Sequence, residues 1–135
     1  MKPVLSKGFF ALLEEAEQAV ESLTPEQLME SRGDDKDLLL VDLRDIRELQ
    51  REGKIPGAFH MPRGMMEFWI DPESPYFKGI FAEHSRWVFY CNKGWRSALT
   101  THTAMQMGVT HIAHLAGGFS AWVDAGGEVE EVPKR

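Results

Sequence analysis

Cysteine is nearly absent from this chain of 135 residues, which holds one, Cys91. A single cysteine excludes an intramolecular disulfide and a cysteine-rich zinc site. A reducing, cytoplasmic setting is its simplest compartment. No run of lysine and arginine occurs, and the formal charge is -6, so no nucleic-acid face is expected. Long apolar runs are missing as well. Phe9-Phe10-Ala11-Leu12-Leu13 stops at Glu14-Glu15, too short for a membrane span or the core of an export signal. The histidines at 60, 84, 102, 111 and 114 lack the helical spacing of metal ligands. Neither a Gly-x-Ser-x-Gly turn nor a glycine-rich dinucleotide fingerprint is present. The expectation is a protein without metal, cofactor or membrane anchor, and any anion site in it must be local.

What is present alternates between two periodicities. Phe9, Leu12, Leu13, Ala16, Val20 and Leu23 form a helical stripe, with Glu14, Glu15, Glu17, Gln18 and Glu21 off it. This predicts an amphipathic helical extension over residues 1–23, which either packs on its own domain or projects as a dimer arm. Thr24-Pro25-Glu26-Gln27 is a capping box with proline at the first helical position, so a short helix runs to about Ser31. After the polar turn at Arg32–Lys36, Leu38-Leu39-Leu40-Val41 is the continuous apolar run of a strand covered on both faces. Asp45 to Glu52 predicts a short helix closed near Gly53. Ala58 to Met61 predicts a strand stopped by Pro62. Arg63 to Tyr76 is rich in methionine and aromatics but broken by Pro72 and Pro75. It is expected to fold against the body, with Met65, Met66, Phe68 and Trp69 in the core. Strands over 87–90 and 109–115 and helices over 97–107 and 119–125 complete an α/β domain with a mostly parallel sheet. Functional loops of such a domain lie beyond the strand C-termini.

Cys91-Asn92-Lys93-Gly94-Trp95-Arg96-Ser97 joins the strand at 87–90 to a helix. A thiol at that turn faces the N–H groups and positive dipole end of the new helix, which favour the thiolate. Gly94 lets consecutive N–H groups converge, and Lys93 and Arg96 add local positive charge. A lone cysteine after a buried strand is also often an inert small apolar residue. From the loop alone, nucleophile and packing residue both stand.

The motifs together go further. Val41-Asp42-Leu43-Arg44 with Glu48, Gly53-Lys54-Ile55-Pro56-Gly57-Ala58 with Pro62, the loop 91–97, and Gly117-Gly118-Phe119-Ser120-Ala121-Trp122 with Ala125-Gly126 occur in order. In these residues the chain resembles a single-domain rhodanese-like sulfurtransferase, over about residues 24–130. It departs from that pattern at Lys54, where histidine is commoner, and in a slightly longer segment over 45–52. The resemblance implies a three-layer fold, with a central mostly parallel sheet of about five strands flanked by helices. It also implies a rhodanese-like domain over 24–135 acting as a monomer or homodimer. Cys91 is then the nucleophile, forming a persulfide with thiosulfate or a persulfide donor and passing sulfur to a thiol or cyanide. The loop residues Asn92, Lys93, Gly94, Trp95, Arg96 and Ser97 bind the persulfide and donor, Lys93 and Arg96 meeting the donor's charge. Asp42 and Arg44 support neighbouring loops. The pocket wall is expected from Met65–Phe77 and Trp95. The alternative is a non-catalytic sulfur-carrier or partner-binding module. Four residues separate Cys91 from Arg96, one fewer than in the phosphate-encircling loops of phosphatases and arsenate reductases, so those activities rank last.

Overall fold

Five strands pair into one sheet, all neighbours parallel, in the order β1-β5-β4-β2-β3. The computed structural model describes residues 1–134. Its elements are α1 (Phe9–Ala19), β1 (Glu21–Leu23), α2 (Pro25–Asp34), β2 (Leu38–Asp42), α3 (Ile46–Glu52), β3 (Phe59–His60), α4 (Met66–Ile70), β4 (Arg86–Tyr90), α5 (Trp95–Gln106), β5 (Ile112–Leu115) and α6 (Gly118–Asp124). The expected parallel sheet flanked by helices is the observed architecture. Strands β2, β4 and β5 are interior, which is why they lack a polar alternation.

The two sheet faces bury different partners. On one, Leu40, Val88, Tyr90 and Leu115 meet Leu28 of α2, Ile55, and Phe119 and Trp122 of α6. On the other, Leu39, Val41, Trp87 and Phe89 meet Met61, Met66, Ile70, Phe81 and Ala104. A further layer forms where Leu13 and Ala16 of α1 pack on Ala98 of α5. The N-terminal helix therefore rests on its own domain, directly over the helix that starts at the cysteine turn. Among the described residues no helix is long and apolar enough to cross a membrane.

Local departures from the sequence reading have physical causes. The first helix ends at Ala19 rather than Leu23, and Glu21–Leu23 pairs in parallel with Ala113–Leu115. Val20 and Leu23 suit a helical stripe and a sheet edge equally, and pairing satisfies backbone groups that β5 would otherwise leave open. Helix α2 runs on to Asp34, and Arg32 donates to the Pro56 carbonyl. The last strand starts at Ile112 rather than Val109, because the Val109 N–H still bonds the Ala104 carbonyl at 3.1 Å. In the 63–77 segment Met66 is buried and Met65 and Trp69 half-buried. Phe68 is exposed, its ring edge-on to Tyr76 instead of in the core.

Where β2 ends, a buried ion pair ties three segments together. Arg44 donates to both Asp42 carboxylate oxygens at 2.8–3.2 Å, to the Gly53 carbonyl at 2.7 Å and to Glu52 at 3.1 Å. Its guanidinium lies 4.4 Å from the Phe119 ring centroid. Both side chains of the pair are fully buried, so each charge depends on the other. Arg44→Met should destabilise the fold by about 3–5 kcal/mol in urea titrations, and Asp42→Asn combined with Arg44→Met should recover much of that loss. A single-variant loss below about 1 kcal/mol would contradict a pairing role.

Candidate active site

Strand β4 delivers Cys91 to the C-terminal edge of the sheet, and the chain turns at once into α5. Gly94 makes the turn possible, with φ of 104°, a value rare for residues with a Cβ. A Cβ there would stand 3.3 Å from the Gly117 nitrogen. The turn folds back on the thiol: the Gly94 N–H lies 3.2 Å from Cys91 Sγ and the Ser97 N–H 3.4 Å. A second glycine turn clamps the loop from below. The N–H groups of Phe119 and Ser120, in the first turn of α6, donate to the carbonyls of Cys91 and Asn92 at 2.8 and 3.0 Å. Ser120 Oγ also donates to Asn92 Oδ1 at 2.9 Å. Gly118 is required at this crossing, since a Cβ on it would lie 2.5 Å from the Cys91 carbonyl oxygen.

Cys91 is 1% exposed at the floor of an open pocket of about 490 Å³ lined by Cys91, Asn92, Lys93, Trp95 and Arg96. The two loop cations differ. Arg96 forms a two-pronged ion pair with Glu48 of α3, at 2.8 and 3.0 Å. That fork holds the Glu48 carboxyl below the usual carboxylate range and raises the Arg96 guanidinium. Glu48 is itself placed by the capping box it makes with Asp45. Lys93 is exposed and makes no ion pair among the described residues. Of the two expected free cations, one is therefore largely neutralised.

Trp95, expected in the pocket wall, lines it. Trp95 is 51% exposed and meets Phe9 and Phe10 of α1, with ring centroids 5.0 and 6.1 Å away. Residues of the Met65–Phe77 segment do not line the pocket. Part of the segment goes into the core, where Met66 and Ile70 are buried and Trp69 packs on Phe59, while Phe68 and Tyr76 are exposed.

Two further residues reach the thiol through Ser97. Its Oγ lies 3.6 Å from Cys91 Sγ and 2.9 Å from His114 Nδ1, while His114 Nε2 lies 3.1 Å from Ser22 Oγ. Neither His114 nor Ser22 stands out in the sequence. Only the parallel pairing of β1 with β5, which sets Ser22 opposite His114, brings them to the loop. No group of three metal-ligating side chains occurs among the described residues.

Residues 24–125 match the family model of the rhodanese-like domain. The chain belongs to the rhodanese-like domain family. A Mus musculus protein, thiosulfate sulfurtransferase/rhodanese-like domain-containing protein 3, is 32% identical over 93 residues, 65% of this chain and 59% of that one. The chain thus matches about three fifths of that relative's length. An Allochromatium vinosum protein named sulfurtransferase is 31% identical over 107 residues, covering 79% of this chain and 92% of the relative. A solved structure from Rhodopseudomonas palustris, of a protein of unknown function described as a possible tyrosine phosphatase, has 49% identity and a TM-score of 0.91. It covers 96% of this chain and 99% of that one. Family membership and the two relatives named as sulfurtransferases support sulfur transfer at the family level. The rhodanese-like match begins at Thr24, so α1 and β1, which carry Phe9, Phe10 and Ser22 to the site, lie outside it.

Burial lowers the His114 pKa from 6.5 to about 4. The unfolded chain therefore takes up a proton first as pH falls, and stability declines between 6.5 and about 4. His114→Asn should flatten the pH dependence of unfolding free energy in that window by on the order of 1–3 kcal/mol. An unchanged slope would show that His114 does not titrate in the folded protein as its burial requires.

Proposed function

We propose that this rhodanese-like protein is a sulfurtransferase that carries sulfane sulfur on Cys91 as a persulfide. The observation that supports this most is the convergence of the Gly94 and Ser97 N–H groups on Cys91 Sγ, at the floor of an open pocket. A sulfur held by backbone N–H groups is stabilised as the anion that attacks. In the first step the Cys91 thiolate attacks the outer sulfur of thiosulfate. The donor S–S bond breaks, sulfite leaves with its electron pair, and the new terminal sulfur carries the negative charge. The first-turn N–H groups of α5, which have no acceptor within the helix, are the donors available to that sulfur. A cyanide or thiol acceptor then removes it and restores Cys91.

The charge arrangement suits a small anionic donor. With Arg96 paired to Glu48, Lys93 supplies the uncompensated charge at the mouth, and Arg96 positions the turn as much as it binds. A phosphatase role has less support. Four residues separate Cys91 from Arg96, and the loop N–H groups close on the sulfur itself instead of framing a tetrahedral anion above it. The exposed Phe9, Phe10 and Trp95 cluster favours, as a second reading, a module that presents bound sulfur to a protein acceptor. Turnover separates the two.

Sulfite release from thiosulfate should be measurable in steady state and fall by at least about a thousandfold in Cys91→Ser. Lys93→Ala should raise KM for thiosulfate about tenfold, with a smaller effect on kcat. Assayed beside thiosulfate, mercaptopyruvate and glutathione persulfide identify the preferred donor. Sulfite release that survives Cys91→Ser would overturn the proposal, and hydrolysis of p-nitrophenyl phosphate with no sulfur transfer would favour the phosphatase role.

A further inference from the structure

The sulfur-transfer steps above use the cysteine and the backbone of its turn, yet a buried imidazole stands directly behind them. His114 is 4% exposed, on β5 in register with Ser22 of β1 and Phe89 of β4. Both ring nitrogens are engaged, Nδ1 with Ser97 Oγ at 2.9 Å and Nε2 with Ser22 Oγ at 3.1 Å. Ser97 Oγ is in turn 3.6 Å from Cys91 Sγ. Ser22 lies on the edge strand and is exposed. An unbroken file of hydroxyl, imidazole and hydroxyl thus runs from the buried sulfur to an exposed residue that does not line the pocket. Each of the three can donate and accept at once.

We infer that Ser97, His114 and Ser22 form a proton relay that carries the Cys91 thiol proton to solvent without charging the imidazole. This rests on Cys91 as the sulfur-carrying nucleophile. With Cys91 as the thiol, S–H donates to Ser97 Oγ, Ser97 O–H donates to Nδ1, Nε2–H donates to Ser22 Oγ, and Ser22 O–H donates to water. Moving each proton one place along the file gives Cys91 a negative charge and water a proton. It also converts His114 from the Nε2–H to the Nδ1–H tautomer. Every hydrogen bond then points the other way, and Ser97 O–H donates to the thiolate. Four protons move, one leaves, and no heavy atom shifts partner. The competing acceptor for the Ser97 proton, the Gly94 carbonyl, is farther away at 3.3 Å.

The surroundings favour a relay through neutral groups over one through imidazolium. Burial alone depresses the basicity of His114, with no charged side chain contributing. The charged groups near Cys91 are Lys93, Arg96 with its partner Glu48, and the Asp42–Arg44 pair. Lys93 lies in the loop, Arg96 at the start of α5, Glu48 on α3, Asp42 at the end of β2 and Arg44 just after it, and the hydrogen bonds of the His114 ring go to Ser97 and Ser22 instead. The relay has a natural use before the first sulfur transfer, when it turns the resting Cys91 thiol into the thiolate that attacks the donor. Cyanide then removes the sulfur as thiocyanate and leaves that thiolate, so no second proton has to pass.

The test is the tautomer of His114, read from its ring nitrogen-15 shifts in the full-length protein across the pH range in which Cys91 becomes reactive to iodoacetamide. The expected result is Nε2–H below that range and Nδ1–H above it, with no switch in Cys91→Ser. Ser22→Ala, an exposed change that leaves the core intact, and His114→Asn, which keeps a polar group but cannot exchange its protons, should each slow alkylation at neutral pH by about tenfold. One tautomer throughout, or alkylation profiles unchanged in both variants, would overturn the relay. Intact mass after thiosulfate treatment keeps the two ideas apart. Uptake of sulfur without a tautomer switch defeats the relay alone, whereas a tautomer switch without sulfur uptake defeats the sulfur-transfer reading alone.

Discussion

Two backbone hydrogen bonds onto one sulfur atom, from Gly94 and Ser97 to Cys91 Sγ, set the terms for the rest of the molecule. They exist only if the chain leaves β4, reverses within three residues and enters a helix with its free N–H groups aimed backwards. Gly94 supplies the left-handed backbone that this requires. Gly118 supplies the absence of a side chain where α6 crosses the loop. The α6 N–H groups then hold the Cys91 and Asn92 carbonyls, so the loop is fixed from both sides before any substrate arrives. Preorganised donors of this kind stabilise developing charge without rearranging during reaction.

Charge around the sulfur is distributed by pairing. Arg44 is locked to Asp42 beneath the loop and Arg96 is locked to Glu48 beside it, so both guanidiniums serve geometry while Lys93 faces the pocket. The Arg96–Glu48 fork also ties α3 to α5. A chain of net charge -6 thereby keeps a lysine, unpaired among the described residues, at the pocket that holds Cys91, which suits the anionic donor proposed for it. Ser97 and His114 reach the sulfur through hydrogen bonds instead of charge.

Much of this was legible in the residues, and the limits are physical. Strands β2 and β4 announce themselves as apolar runs, the Thr24–Gln27 box marks its helix, and the glycine positions in the cysteine turn imply a folded-back loop. The edge strand Glu21–Leu23 was hidden because three residues carry no periodicity of their own, and Val20 and Leu23 continue the helical stripe before them. Glu48 belonged to a recognisable motif, but its grip on Arg96 depends on how α3 is laid beside α5. His114 and Ser22 were invisible for a stronger reason: they stand 92 positions apart, and only strand order makes them neighbours. Of the wall expected from Trp95 and Met65–Phe77, Trp95 lines the pocket and the 65–77 segment does not, because composition marks apolar side chains without telling a pocket lining from a core.

The central claim is that Cys91 itself carries transferable sulfur, and intact-protein mass spectrometry after thiosulfate treatment tests it most directly. The account predicts a gain of one sulfur atom, about 32 Da, localised to Cys91 and removed by cyanide. No gain in the wild-type protein, or an equal gain in Cys91→Ser, would contradict it.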